Sequence, residues 1–321
     1  MQPLFRFGVL LFIAAALVGI SSTGVLAARS IVISGGDVLT VPARPAGARE
    51  LPPSRVRLTA DVTWGVPDAR AVAAFRAART LGFMSGFAGP NFVEHAGEGY
   101  YLDGTSSNTY GAYANHVVYP RQREPGNPSS SGSGGFLYAP TMFGPGADCI
   151  EATTVVQDAY PQVWAWDWCS AYPDPYAVVV VDGRFKRNYI RTMTDGLTEF
   201  TVETILASDG VTWDMALYNY KTQQWDIIYQ TSGSRNPNYG LGEQGWDFFE
   251  TYTDVENGIS DVCNKFPGPI ASDEISLSFD DETFTPITSG DSTHLKFNSF
   301  YCSRFGFSTP QTYEWEMLYS R

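Results

Sequence analysis

The chain predicts an all-β fold, a sandwich or barrel of short antiparallel strands, and three observations predict it. Aromatic residues fill 14% of its 321 positions and charged residues only 17%, while glycine and proline number 31 and 20. From about residue 91 the apolar pattern repeats every second residue, the period of a strand. Turn-forming clusters such as SDG (208–210), KTQQ (221–224) and GNPSSSGSGG (126–135) interrupt that pattern at short intervals.

Taken in order, the N-terminus reads as a targeting segment. Arg6 precedes the apolar run VLLFIAAALVGI (9–20), and VLA (25–27) places small residues where a signal peptidase needs them. The run is short for a membrane span, so residues 1–27 are expected to be a secretory signal peptide, with an uncleaved signal anchor as the alternative. The mature protein is then exported, extracellular and not inserted in a membrane. Residues 28–90 hold eight Arg against four Asp or Glu, a net +4, and no cysteine. Within them PDARAVAAFRAART (67–80) predicts a short helix with Asp68 at its start. This stretch is expected to be a basic pro-segment lying on an acidic body, or else an N-terminal extension.

Residues 91–321 carry twelve basic and thirty acidic side chains, a net −18, and with Arg6 and the +4 stretch they give the chain −13. So acidic a body lacks the basic footprint that nucleic acid requires. Strands are expected at 110–119, 135–143, 176–181, 198–206, 212–220, 224–230, 245–253, 273–279 and 312–320, all in one sandwich domain. The Gly/Ser-rich stretch 126–135 is expected to be an excursion between strands.

Several familiar motifs fail. Gly240, Gly242 and Gly245 spell G-x-G-x-x-G, but a strand pattern follows where a phosphate site needs a helix. Trp-Asp recurs at irregular intervals, which excludes a regular propeller. There is no G-x-S-x-G and no H-E-x-x-H, and His95, His116 and His294 lie far apart. The four cysteines all follow residue 148 and form no C-x-x-C pair, so in an exported chain they predict two disulfides and no metal site. Order along the chain predicts Cys149–Cys169 and Cys263–Cys302.

The stretch CIEATTVVQDAYPQVWAWDWC (149–169) predicts a β-hairpin turning near Ala159. If the cysteines oppose each other directly, Glu151 opposes Asp167 on the cysteine face. Ile150, Ala152 and Thr154 then oppose Trp168, Trp166 and Trp164 on the other. Two carboxylates so placed repel, and one is expected to hold its proton to higher pH. An acid/base pair, a metal ion or simple exposure each account for the pattern. The tryptophans suit either a core layer or a platform for stacking sugars. In GWDFFETYT (245–253), Trp246, Phe248, Glu250 and Tyr252 share one strand face, so Glu250 is expected among aromatic rings.

The order of five short motifs resembles that of the eqolisins, the glutamic peptidases. They are NTYGAYA (108–114), CIEAT (149–153), WAWDW (164–168) with Tyr172-Pro173 after it, LYNYKTQQ (217–224) and GWDFFE (245–250). The resemblance covers roughly residues 105–255 and implies a β-sandwich of the concanavalin A-like lectin/glucanase type. It also implies an exported acid endopeptidase, with Glu250 at the position of the catalytic glutamate. The family's catalytic glutamine is replaced here by Glu151, which when protonated can still donate a hydrogen bond to an oxyanion. Asp167, Trp166 and Trp246 are the expected supporting residues, with Asp167 tuning Glu151. No cofactor or metal is implied, and the expected partner of the monomer is a polypeptide substrate. The rival reading is a carbohydrate-binding or glycoside-hydrolysing sandwich, because aromatic clusters and paired carboxylates suit glycans too. A non-catalytic exported relative is a third.

Overall fold

Side chains that alternate along a strand give a sheet two faces, and an apolar face must meet another layer to leave water. The computed structural model describes residues 28–32, 38–42, 55–57, 60–81, 93–103, 109–118, 136–146, 148–156, 161–193, 196–231, 244–254, 269–279, 283–298 and 305–319. Among these residues the chain forms two large sheets that pack face to face. The sandwich expected from the sequence is therefore present.

The first sheet runs in the order β18 (Phe305–Gln311), β19 (Glu314–Tyr319), β15 (Ile270–Ser278), β5 (Gly111–Val118), β11 (Thr198–Leu206), β12 (Trp213–Asn219), β13 (Gln224–Gln230) and β3 (Arg55–Arg57). Two short strands attach to it, β10 (Arg191–Thr192) on β11 and β16 (Phe284–Pro286) on β15. The second sheet runs β17 (Ser292–Phe297), β4 (Val93–Leu102), β14 (Gly245–Asp254), β6 (Phe136–Phe143), β7 (Ile150–Val156), β8 (Gln162–Asp167) and β9 (Asp174–Val180). Pairing is antiparallel throughout, except that β3 joins β13 in parallel. A separate hairpin pairs β1 (Ala28–Val32) with β2 (Val38–Pro42). Two helices complete the described chain, α1 (Ala69–Leu81) and α2 (Gly183–Tyr189).

The space between the sheets is filled by alternate residues of both. Ile150, Ala152, Val163 and Ala165 meet Val202, Met215, Leu217 and Trp315 there. Each large apolar side chain buried in this layer contributes roughly 1.5–3 kcal/mol. The remaining residues of β7 and β8 are buried as well, so both faces of the second sheet are covered. The cover on its outer face is α1, which contributes Ala71, Ala74 and Phe75. Asp68 caps that helix, its Oδ1 accepting from Ala71 N at 3.1 Å.

The segment before α1 runs along the sheet edges. After β3 extends the first sheet, Gly65 N donates to Val178 O and Val180 N donates to Thr63 O, both at 2.9 Å, along the free edge of β9. These pairings occupy backbone groups that an edge strand otherwise leaves open.

The hairpin needs a correction. Cys149 and Cys169 are bonded, with Cα atoms 5.2 Å apart, as expected. Yet the ladder pairs Glu151 with Trp166, Thr153 with Trp164 and Ile150 with Asp167, one residue away from the expected register. A disulfide spans a range of Cα separations and so does not require direct opposition. Trp168 N still follows the ladder, donating to Cys149 O at 2.8 Å. The chain then turns back because Asp167 Oδ1 accepts from Cys169 N at 2.8 Å and Ser170 N at 3.0 Å. A slip of one residue exchanges the faces of a strand. Glu151 therefore lies with the tryptophans, and Asp167 lies on the opposite face, where Tyr229 Oη donates to its Oδ2 at 2.7 Å. Asp167 does not oppose Glu151.

Strands β1 to β4, β10, β16, β17 and β18 and helix α2 escaped the sequence pattern. In β4, Gly97 and Gly99 occupy the places of larger residues, which hides the period of two. A Cβ on Gly97 would lie 2.2 Å from the Phe297 ring, so the glycine makes room for that ring. Helix α2 has only seven residues and rests on one cap, Asp182, which accepts from Arg184 N and Phe185 N. The expected signal peptide, the Gly/Ser-rich stretch 126–135, and Cys263 with Cys302 lie outside the described residues.

Candidate functional site

The outer face of the second sheet gathers the carboxylates singled out by sequence. Across the strands, one row runs Tyr101, Trp246, Phe143, Glu151 and Trp166. A second row, four residues further along, runs Gly97, Glu250, Tyr138 and Val155. Between the rows β6 carries a bulge after Tyr138, in the stretch that includes Pro140. Bulges tolerate proline, which cannot donate to a ladder. Glu151 and Glu250 thus share a face, two strands and four positions apart, on the order of 16 Å between their Cα atoms.

Glu151 is fully buried and held by donors. Trp246 Nε1 donates to its Oε1 at 2.9 Å and Trp168 Nε1 to its Oε2 at 3.0 Å. Thr141 Oγ1 makes a short hydrogen bond to Oε1. An indole N–H can only donate, so each carboxyl oxygen must accept. The carboxylate satisfies all three groups. The protonated acid can turn its proton towards Thr141 or towards a bound ligand. Trp166 sits directly across the ladder from Glu151 and stacks on Trp168, their centroids 5.3 Å apart.

Glu250 is also fully buried. Tyr252 Oη donates to its Oε2 at 2.9 Å, and His95 Nε2 lies 3.2 Å from the same oxygen. His95 opposes Tyr252 in the β4–β14 ladder and stacks on its ring at 4.5 Å. Phe297, the ring admitted by Gly97, closes the other side of the imidazole at 4.7 Å. Trp246, Phe248 and Tyr252 share one apolar cluster, so Glu250 has the aromatic surroundings expected of it.

Helix α1 links the two carboxylates. Phe75 is fully buried, its ring 4.7 Å from Trp166, 6.1 Å from Trp168 and 5.9 Å from Tyr252. Trp168 donates to Glu151, and Tyr252 donates to Glu250. One phenyl ring therefore spans the gap between the two hydrogen-bonded networks.

Two further carboxyl groups lie on the inner side of the second sheet. Asp247 accepts from Trp315 Nε1 at 2.6 Å and Ser272 Oγ at 3.0 Å, and complete burial pushes its pKa up to about 7. Asp148 accepts from Thr204 Oγ1, Gly144 N and Ile150 N, and burial again dominates, raising it to about 7. His116, bonded to Thr154 Oγ1, is pulled by burial down to about 3. On the outer face of the first sheet Glu274 adopts φ +53° and accepts from Asn115 Nδ2 at 2.8 Å. Burial raises its pKa, with Asp273 adding to the effect.

Sequence reasoning singled out Glu151, Glu250, Trp166 and Trp246, and the fold places all four on one face. It missed His95, Thr141 and Phe75. His95 carried a signal, the alternation of VEHAGEG at 93–99, but its glycines obscured it. Thr141 and Phe75 reach the site only through tertiary contacts. Among the described residues no group of three or more His, Cys, Asp or Glu is arranged to hold a metal ion. No described helix is long and apolar enough to cross a membrane.

No protein-family model matches the chain, and no curated protein matches it. Among solved structures it is similar to one described as a crystal structure of Scytalido-glutamic peptidase with a peptide based transition state analog. The identity is 13% and the TM-score 0.40, over 71% of this chain and 100% of that one. It is also similar to the CBM2 module of Lactobacillus casei BL23 phage J-1 evolved Dit, at 8% identity and a TM-score of 0.23. That match covers 50% of this chain and 54% of the other. At these scores neither likeness carries a functional argument.

Proposed function

We propose that the outer face of the second sheet is the active site of an exported acid peptidase of the glutamic type, which hydrolyses peptide bonds by activating water. The observation that carries the reading is the occupant of that face. A polypeptide segment, α1, lies over Glu151 and Glu250 and inserts one side chain between their partners. A groove that accepts a chain of amino acids suits a polypeptide substrate better than a glycan. Full burial of two carboxylates on an outer sheet face also favours a site, since such faces ordinarily meet water. The order of the five sequence motifs supports the same assignment.

In this mechanism Glu250 takes a proton from the water that attacks the scissile carbonyl carbon and passes it to the departing amine nitrogen as the C–N bond breaks, with Tyr252 and His95 holding its carboxylate. Protonated Glu151 turns its hydrogen towards the carbonyl oxygen of the scissile bond, while Trp168 and Trp246 fix its orientation. Trp166 lies beside Glu151 and, with Trp168, lines the space that Phe75 fills. Asp167 has no part in it.

The test is hydrolysis of an unfolded protein at about pH 3–4, where carboxyl groups near their ordinary values share protons. Cleavage should survive chelators and serine-directed reagents. No cleavage across acidic pH, together with retention on a polysaccharide column, would replace this reading with the carbohydrate one, for which the aromatic floor is equally suited.

A further inference from the structure

We infer that α1 holds this site shut, with Phe75 occupying the pocket for a bulky aromatic side chain of the substrate, and that the active form is the one from which α1 has been displaced. This regulation rests on the peptidase reading, while the pocket itself does not.

Among the helix residues whose side chains are described, the buried ones are two alanines and one phenylalanine, Ala71, Ala74 and Phe75, at the i, i+3 and i+4 positions of one face. Val72 is only partly buried. Phe75 is the largest side chain on that face. The helix is also held by Arg76, whose Nε donates to Pro173 O at 3.1 Å and whose guanidinium pairs with Asp174 on β9. Both partners are about two-fifths exposed, so salt weakens the pair.

The floor beneath the ring points to a ligand. Trp166 Nε1 is buried and has no hydrogen-bond partner among the described residues. A buried donor left without an acceptor carries a penalty that a permanent core avoids. The Phe75 carbonyl belongs to the hydrogen-bond ladder of α1, whereas a substrate bound in extended form offers a free carbonyl oxygen next to the side chain that fills the pocket. Trp166 then gains its acceptor when substrate replaces α1. Phe75 meets three rings, those of Trp166, Trp168 and Tyr252, at 4.7–6.1 Å, which makes the pocket selective for a flat aromatic group.

The experiment uses the full chain, as wild type, Phe75→Ala and Arg76→Ala. The probe is N-acetyl-phenylalaninamide, titrated against tryptophan fluorescence at about pH 4, with N-acetyl-glycinamide as control. Phe75→Ala should bind the phenylalanine probe at least tenfold tighter than wild type and ignore the control. Arg76→Ala keeps the pocket filled but loosens the helix. It should speed hydrogen exchange within residues 69–81 at least tenfold and tighten probe binding by a smaller factor. Hydrolysis of an unfolded protein should rise in both variants. Probe binding without hydrolysis in any form would keep the pocket and discard the peptidase reading. A folded Phe75→Ala that binds the probe no better than wild type would overturn the inference. If that variant fails to fold, unchanged exchange and unchanged probe binding in Arg76→Ala would overturn it instead.

Discussion

Raising the pH from 4 to 7 should destabilise this protein, and Asp247→Asn should remove most of the effect. Burial lifts the Asp247 and Asp148 carboxyls from an ordinary value of 3.8 to about 7. Between those values the unfolded chain has released each proton while the native state still holds it. Stability from each group is thus complete below the ordinary value and is lost as pH rises through about 7, at about 1.4 kcal/mol per pH unit. Over pH 4–7 that is about 4 kcal/mol for each aspartate. His116 acts in the opposite direction. Burial draws it from 6.5 down to about 3, so the unfolded chain is protonated while the native state is neutral, and stability rises with pH across that interval. From pH 4 upward it returns about 3 kcal/mol, leaving a net loss of about 5 kcal/mol from these three groups. That is comparable with the whole stability of many domains. In Asp247→Asn the amide oxygen accepts from Trp315 and the amide nitrogen donates to Ser272, so both contacts survive without a titrating group. The loss should shrink to about 1 kcal/mol. Urea unfolding of both proteins at pH 4, 5, 6 and 7 measures it. A wild-type stability that is flat or rising over this range would refute the reasoning, as would an Asp247→Asn profile with the wild-type slope.

Glu151→Gln should cost about 1–3 kcal/mol in urea unfolding, because its amide NH2 must face an indole N–H from Trp168 or Trp246. A donor that does not titrate should nevertheless extend activity to higher pH, as a pH–rate profile would show. Glu250→Gln should fold and lose hydrolysis at every pH, and surviving activity in that variant would remove it from the mechanism. Replacing Cys149 and Cys169 by serine opens a loop with a sequence separation of 20 and should lower stability by about 3 kcal/mol, measured by thermal or urea unfolding. Gly97→Ala should displace the Phe297 ring from His95, costing about 1–3 kcal/mol and impairing the Glu250 end of the site before the Glu151 end.

The strands that sequence located best, such as β11 and β14, alternate without interruption, and each apolar residue in them finds a sheet face waiting. Where glycine interrupted the alternation, in β4, the pattern was lost, because a glycine that admits Phe297 contributes no side chain to count. The aromatic neighbourhood of Glu250 was legible for the same reason, since period two alone places Trp246, Phe248 and Tyr252 beside it. The partners of Glu151 were not. A pair of cysteines suggested the register of β7 and β8, but disulfide reach is looser than ladder geometry, and one residue of slack exchanged the faces. By itself the sequence determined a sandwich of short strands, the Cys149–Cys169 link and a helix beginning near Asp68. Only the tertiary structure decided that Glu151 sits under three donors, that Asp167 faces away, and that Phe75 fills the space between two carboxylate networks. These depend on contacts between segments tens to well over a hundred residues apart, which local periodicity cannot encode.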